Sequence, residues 1–184
     1  MSLRFTALLA LAPVALISAC AGMSPAGMMT FDQSALPDAV KVPNGNKVAM
    51  QTVGAGDITY ECRAKADAAN TFEWVFVGPQ ADLNSRAGAK LGTYYGPPAT
   101  WASSDGSKIT GTQLATAPGG TGNIPMQLVK ANPASSAGAM MGVTYIQRVA
   151  TRGGVAPASP CTASAIGSKQ TVKYQADYIF WKAA

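Results

Sequence analysis

Hydrophobic and polar residues alternate with a period of two along much of the chain, which is the pattern of half-buried β-strands. Segments with this alternation, or with a short apolar run between turn residues, are 47–53, 58–63, 72–77, 91–95, 108–114, 124–130, 141–150 and 172–181. No window keeps a 3.6-residue apolar stripe over three turns. Helix is therefore expected only as short turns at 80–84 and 162–166.

Glycine, proline and aspartate cluster between these segments and predict turns at 53–57, 96–98, 105–106 and 117–120. Successive strands joined by short turns pair as antiparallel neighbours. The sequence therefore predicts an all-β domain over residues 47–184. We expect an antiparallel β-sandwich or barrel of roughly eight strands with short helical turns.

The N-terminal residues resemble a bacterial lipoprotein signal. Arg4 precedes 14 uncharged residues at 5–18, a run that is too short for a transmembrane helix. The run ends in Ile17-Ser18-Ala19-Cys20, which is similar to a lipobox, and Ala21 is typical of sorting to the outer membrane. Residues 1–19 are thus predicted to be a signal peptide and Cys20 the lipidated residue. The alternative is an ordinary signal peptide cut near an unmodified Cys20.

Residues 20–46 are rich in glycine, serine, proline and methionine and show little periodicity. We interpret them as a flexible tether that links lipidated Cys20 to the β domain. Phe31, Leu36 and Val40 are its hydrophobic residues that could pin the later part of the tether onto the domain.

Histidine is absent from the chain, which excludes Ser-His-Asp and Cys-His catalysis and histidine-based metal sites. The 14 basic and 9 acidic residues are scattered, so nucleic acid is not an expected partner of this exported protein. The Gly54-Ala55-Gly56 segment lacks the third glycine of a dinucleotide fingerprint and runs into a predicted strand. No cofactor and no metal site are expected.

Lipidation of Cys20 would leave two cysteines, Cys62 and Cys161, in a chain bound for an oxidising compartment. A disulfide between them is predicted, with Cα atoms about 4.4 to 6.8 Å apart. The alternative is two buried free thiols.

Several segments together resemble an uncharacterised family of exported bacterial and fungal proteins, the domain of unknown function 3455 family. The segments that carry the resemblance are Tyr60-Glu61-Cys62, Phe72-Glu73-Trp74-Val75-Phe76, Gly92-Thr93-Tyr94-Tyr95-Gly96-Pro97, Trp101, Asp105-Gly106-Ser107, Ile124-Pro125, the stretch 146–154, Ala156-Pro157, Cys161 and the stretch 174–180. The resemblance runs from about Val48 to the C-terminus and implies no established activity.

Arg148 is the centre of a predicted ligand site. It shares a strand face with Ile146, so it is expected to be partly buried and to need either a carboxylate or several carbonyl groups as partners. Glu73 and Asp177 are the strand carboxylates that could pair with it. Such a pair beneath the loop that contains Tyr94, Tyr95 and Trp101 would bind an anionic or sugar ligand. These six residues are the predicted ligand-binding set; the alternative is a structural ion pair or a solvated arginine.

Other acidic residues give little indication of catalysis. Asp57 and Asp105 adjoin glycine in predicted turns, and Glu61 lies on a polar strand face. No catalytic residue is assigned, and we favour a non-enzyme: a lipid-anchored binding or interaction module of the cell envelope. Its possible partners are the membrane through Cys20, glycan, peptidoglycan or an envelope protein. The alternatives are a histidine-independent carbohydrate-active enzyme and a structural assembly protein.

Overall fold

The computed structural model describes residues 29–184 and contains one antiparallel sheet whose eight strands close into a barrel in sequence order. The strands are β1 (Asn46–Ala64), β2 (Phe72–Asn84), β3 (Lys90–Tyr95), β4 (Thr100–Ser103), β5 (Lys108–Ala117), β6 (Met126–Ala131), β7 (Val143–Gly153) and β8 (Lys169–Ala183). Two 3-10 turns, Asp38–Val40 and Ala163–Ala165, are the helical elements described. The all-β prediction is confirmed.

The predicted strand number is right although three local predictions are wrong. The segments 47–53 and 58–63 form one continuous strand, β1, and the predicted turn between them does not exist. The sequence pattern missed the four-residue strand β4. The predicted helical turn at 80–84 is the end of strand β2, whereas the predicted turn at 162–166 is present as Ala163–Ala165.

Glycines within β1 allow neighbouring groups to approach closely rather than reversing the chain. A Cβ atom on Gly54 would lie 2.5 Å from Cε2 of Tyr178, and one on Gly56 would lie 2.1 Å from the carbonyl oxygen of Gln80. Both distances are shorter than van der Waals contact allows, so only glycine fits. Glycine in a strand interior commonly marks such close approach in a strongly curved sheet.

The barrel interior is filled by side chains rather than by a channel. The β8 residues Tyr174, Ala176, Tyr178 and Phe180 are all buried there, as the alternation in this segment predicts. An eight-stranded barrel is just wide enough to be filled in this way. Any ligand site must therefore lie at an end of the barrel or on its outside.

Residues 29–43 form an arm that packs on the outer surface of the barrel. Val40 and Val42 are buried, and Phe31 and Leu36 pack against the same outer cluster, which includes Trp181. The pinning predicted for Phe31, Leu36 and Val40 is thus observed. The predicted signal peptide, lipidated Cys20 and tether residues 20–28 lie outside the described residues.

The two ends of the barrel are built differently. At one end, called the closed end, the 132–142 loop covers the interior with Met140, which is 1% exposed. The Asp105 carboxylate holds this loop by accepting a hydrogen bond from the Ala139 N–H at 2.7 Å. The opposite end, called the open end, carries the loops 65–71, 96–99, 118–125 and 154–168.

The predicted disulfide is confirmed at the open end. Cys62 and Cys161 are bonded, with their Cα atoms 5.4 Å apart. The bond ties the 154–168 loop to β1. No helix between residues 29 and 184 has the length and apolar character needed to cross a membrane.

Candidate ligand-binding site

Arg148 lies on β7 in the half of the barrel near the open end, on the interior face of the strand. It shares this face with the fully buried Ile146, as predicted, and is itself half-buried. Its side chain donates hydrogen bonds from Nε and Nη2 to the carbonyl oxygen of Pro125, at 3.1 and 2.9 Å. These two bonds fix the guanidinium at the wall of the barrel.

Neither predicted carboxylate partner pairs with Arg148. Glu73 lies 3.4 Å from Nζ of Lys65, and Asp177 lies 2.7 Å from Nη2 of Arg86. No carboxylate within residues 29–184 forms an ion pair with Arg148. The predicted ion pair is therefore wrong, because Asp177 occupies the outward face of β8, whereas ligand binding by Arg148 stays a prediction.

A pocket of about 340 Å³ opens beside Arg148 at the open end. This volume is within the range of small-molecule sites in proteins. Its walls combine apolar groups with a few polar ones, and six strands contribute side chains. The lining residues are Ile58, Tyr60, Phe76, Tyr94, Ala99, Gln113, Ile124, Pro125, Gln127 and Arg148. Arg148 is the charged member of this set, so the pocket has a positive charge that no carboxylate in its lining balances.

The guanidinium keeps hydrogen-bond donors that the Pro125 carbonyl does not use. A guanidinium has five N–H groups in a planar fork, and the Pro125 carbonyl accepts from Nε and Nη2. Both N–H groups of Nη1 form no hydrogen bond with residues 29–184. An arginine with such free donors in a partly dry site is suited to binding a carboxylate or phosphate group.

Two tyrosines of the pocket illustrate its electrostatics. Burial raises the pKa of Tyr94, and the positive charge of Arg148 opposes this shift. Burial also raises the pKa of Tyr60, again opposed by Arg148, and the Tyr60 hydroxyl donates to the carbonyl oxygen of Gly154 at 2.8 Å. Both phenols are therefore neutral near pH 7. The neutral Tyr94 phenol can donate a hydrogen bond to an anion held by Arg148, whereas the single O–H of Tyr60 is already used by the Gly154 carbonyl.

The three predicted aromatic residues occupy different places. Tyr94 lines the pocket and stacks on Trp101, with ring centroids 4.8 Å apart. Trp101 is 1% exposed and belongs to the barrel core, where its indole N–H has no hydrogen-bond partner among the described residues. Tyr95 follows Tyr94 in β3 and therefore faces outward. Among the three, Tyr94 is the residue that the structure brings to Arg148.

The remaining acidic candidates are bound to partners of their own. Asp57 lies 2.8 Å from Nζ of Lys173 on paired strands, so its predicted turn position is wrong. Glu61 lies 3.0 Å from Nε of Arg63. Asp105 does occupy a turn, where hydrogen bonds from Ser107 hold its pKa well below the usual range. In the described part of the chain, no cluster of three potential metal-ligating residues occurs.

Sequence reasoning missed several residues of the pocket. Tyr60 and Phe76 come from separately predicted strands, and the structure packs their rings edge to face with centroids 6.1 Å apart. Gln113 and Gln127 are hydrogen-bonded to each other across β5 and β6. The alternation that places Ile58 and Tyr60 on one face of β1 is the signal that could have identified these two as interior residues. The pairing of strands distant in sequence gave no signal.

Comparison with family models gives one match, which covers residues 43–182 and is described as a protein of unknown function (DUF3455). The matched range contains the complete barrel except for the last residue of β8. Neither the comparison with curated proteins nor that with solved structures yields a match for this chain. The match therefore adds no activity to the geometry of the pocket.

Proposed function

The chain belongs to the DUF3455 family, whose function is unknown, so we propose a function from the geometry of the pocket. We propose that the protein is an exported, envelope-anchored module that binds a small organic anion. The ligand class is a carboxylate attached to an apolar ring or to a sugar. The carboxylate contacts the free N–H groups of Arg148, and the ring contacts Phe76 and Tyr94. The amide groups of Gln113 and Gln127 serve polar substituents of the ligand.

One observation carries this proposal: Arg148 is half-buried, fixed by the Pro125 carbonyl, and has no carboxylate partner within residues 29–184. A guanidinium that has lost part of its hydration is stabilised by a bound anion. A bound carboxylate would supply that anion. In the alternative, a structural ion pair, a carboxylate of the protein itself would have supplied the anion.

Binding is favoured over glycoside hydrolysis by the composition of the pocket. Hydrolysis commonly requires two carboxyl groups on opposite sides of the scissile bond, about 5 to 9.5 Å apart. None of the residues that line the pocket is an aspartate or a glutamate. A purely structural role would not need a pocket with an uncompensated charge.

The ligand hypothesis is tested with benzoate and with its neutral analogue benzamide. Benzoate is expected to raise the midpoint of thermal unfolding of the protein, because it binds the folded state, whereas benzamide at equal concentration is not. Glucuronate against glucose is the matched pair for a sugar ligand. Saturation-transfer NMR on the same mixtures identifies which ligand protons contact the protein.

Arg148→Gln should abolish the stabilisation by the anion while leaving a cooperative unfolding transition. Arg152→Gln is the control, because Arg152 lies on the same strand, is exposed and also has no ion pair within residues 29–184. Equal stabilisation of both variants by benzoate or glucuronate would refute the site.

The envelope anchor is the second part of the proposal. It is supported by the lipobox-like Ile17-Ser18-Ala19-Cys20 and by the Cys62–Cys161 disulfide, which is consistent with an exported protein. The expected location is the outer membrane. Cys20→Ala should leave the protein unprocessed or mislocalised. An unmodified N-terminal mass for the wild-type protein, together with an unchanged membrane fraction for the variant, would refute lipidation.

A further inference from the structure

The lysines at the two ends of the barrel differ in whether a carboxylate neutralises them. Every lysine described at the open end forms an ion pair: Lys65 with Glu73, Lys169 with Glu61 and Lys173 with Asp57. Near the closed end, four lysines form no ion pair with any residue from 29 to 184: Lys47, Lys108, Lys130 and Lys182. Lys47 and Lys182 even face each other across β1 and β8. Like charges in this position are unfavourable, so an external anion would relieve them.

Acidic side chains at the closed end offset these four lysines only in part. Asp82 pairs with Lys90 at 2.6 Å. The Asp105 carboxylate keeps its negative charge, because the Ser107 hydroxyl and the Ala139 N–H that donate to it are uncharged, and it balances one of the four lysines. The closed end is therefore a basic surface whose positive charge is available to a partner.

Exposed methionines lie on the same surface. Met29 is 50% exposed and Met141 is 60% exposed. Two largely apolar grooves of about 310 and about 500 Å³ meet at Met29. The first is lined by Lys47, which has no ion pair within residues 29–184, and the second by Arg86, which is paired with Asp177. An apolar groove beside an unpaired lysine matches the acyl chains and the phosphates of a lipid layer.

The arm fixes the place where the chain reaches this surface. The carbonyl oxygen of Thr30 accepts a hydrogen bond at 2.9 Å from Nε2 of Gln51, which lies near the start of β1. Met29 therefore lies beside the closed end. Cys20 precedes Met29 by nine residues, which span at most about 30 Å when fully extended. A lipid on Cys20 would consequently hold the closed end close to the bilayer.

We propose that the closed end docks on the surface of an anionic phospholipid bilayer. Lys47, Lys108, Lys130 and Lys182 contact lipid phosphates, and Met29 and Met141 enter the headgroup region. The ligand pocket at the open end then faces away from the membrane. The proposal deepens the proposed function, since it rests on an envelope location, but it does not require Arg148 to bind a ligand.

The test uses the mature protein as recovered from the envelope, reconstituted on vesicles. A fluorophore is attached at Met141→Cys and, in a separate preparation, at Ala69→Cys in the open-end loop. Nitroxide-labelled headgroups should quench the fluorophore at position 141 and leave that at position 69 unquenched. Equal quenching at both positions, or stronger quenching at 69, would overturn the proposed orientation.

Lys47→Gln/Lys182→Gln tests the role of charge. In vesicles of phosphatidylcholine with phosphatidylglycerol, the double substitution should weaken membrane association, measured by co-sedimentation or by quenching at 141, about tenfold or more. Lys65→Gln/Lys169→Gln removes the same charge at the open end and should change association less than twofold. Equal effects of the two pairs would refute a docking surface at the closed end.

The outcomes separate this proposal from the proposed function. If the mature chain has no lipid, co-sedimentation with the same vesicles still measures how strongly the closed end binds the membrane. Binding that depends on phosphatidylglycerol and on Lys47 and Lys182 supports the docking proposal. Wild-type protein that binds pure phosphatidylcholine equally well overturns it. Benzoate and glucuronate binding is measured without vesicles, so failure there concerns Arg148 alone.

Discussion

Replacement of Gln147 by leucine should detach the arm from the barrel. Gln147 is fully buried on β7, and its amide connects the barrel to the arm. Nε2 donates to Oε1 of Gln33 at 2.8 Å and to the carbonyl oxygen of Val40 at 2.6 Å. Oε1 accepts from the indole N–H of Trp181 at 2.8 Å. Leucine has a similar size but can make none of these three bonds.

The expected cost follows from this geometry. A hydrogen bond contributes about 1 kcal/mol net, so loss of three destabilises the protein by about 3 kcal/mol. The Trp181 N–H and the Val40 carbonyl stay in a buried cluster without their partner, which adds to the cost, whereas the apolar leucine side chain recovers part of it. We therefore expect Gln147→Leu to lower the free energy of unfolding by about 2 to 4 kcal/mol.

Urea unfolding followed by tryptophan fluorescence measures this change. Gln170→Leu is the control, because Gln170 is exposed and accepts one surface hydrogen bond from Ser159. It should change the free energy of unfolding by less than about 0.5 kcal/mol. Amide hydrogen exchange of residues 33–42 should become faster in Gln147→Leu. A loss of stability below about 0.5 kcal/mol, with unchanged exchange in the arm, would refute the role of this network.

Three further predictions concern the barrel. Loss of the Cys62–Cys161 bond should destabilise the protein by up to about 4.7 kcal/mol, because the bond links residues 99 positions apart and restricts the unfolded chain. Urea unfolding of the Cys62→Ala/Cys161→Ala variant against wild type measures this change, and equal stability would contradict it. Asp105→Asn should lower the unfolding midpoint at pH 7 but much less at pH 2. The folded-state pKa of Asp105 is depressed, so its contribution is complete above the unfolded pKa of about 4 and is lost as the pH falls towards the folded value. A difference that is independent of pH would contradict this. Gly56→Ala should lower the free energy of unfolding by more than about 2 kcal/mol, because the new Cβ would lie 2.1 Å from the backbone oxygen of Gln80. The control Ala55→Ser, at the exposed neighbouring position, should change the free energy of unfolding little in the same assay.

The sequence predicts strands well where one face of the strand is buried. The alternation in β8 is complete because Tyr174, Tyr178 and Phe180 all enter the barrel. It fails where a residue type has two structural uses: Gly54 and Gly56 are typical of turns, but here they relieve crowding inside a strand. Such crowding depends on Tyr178 and Gln80, which are far away in sequence, so no local pattern indicates it.

The candidate site could be predicted only in part for a similar reason. Alternation places Arg148 on the same strand face as Ile146, and the structure agrees. The identity of its partner depends on strand register and on loops, and these bring Pro125 rather than Glu73 or Asp177 to the guanidinium. The paired aromatic residues Tyr60 and Phe76 likewise meet through the pairing of β1 with β2.

The order of the strands determines when the barrel can form during synthesis. β8 completes the ring by pairing with β1, so that Asn46 pairs with Ala183, which lies 137 positions later in the chain. Until β8 is available, β1 and β7 each have an unpaired edge and the interior lacks Tyr174, Tyr178 and Phe180. Nascent chains without the last strand therefore cannot attain the native state, and closure of such long-range contacts is slow. A topology completed by its final segment is compatible with the export proposed above, because the chain would reach the membrane before its last strand can close the barrel.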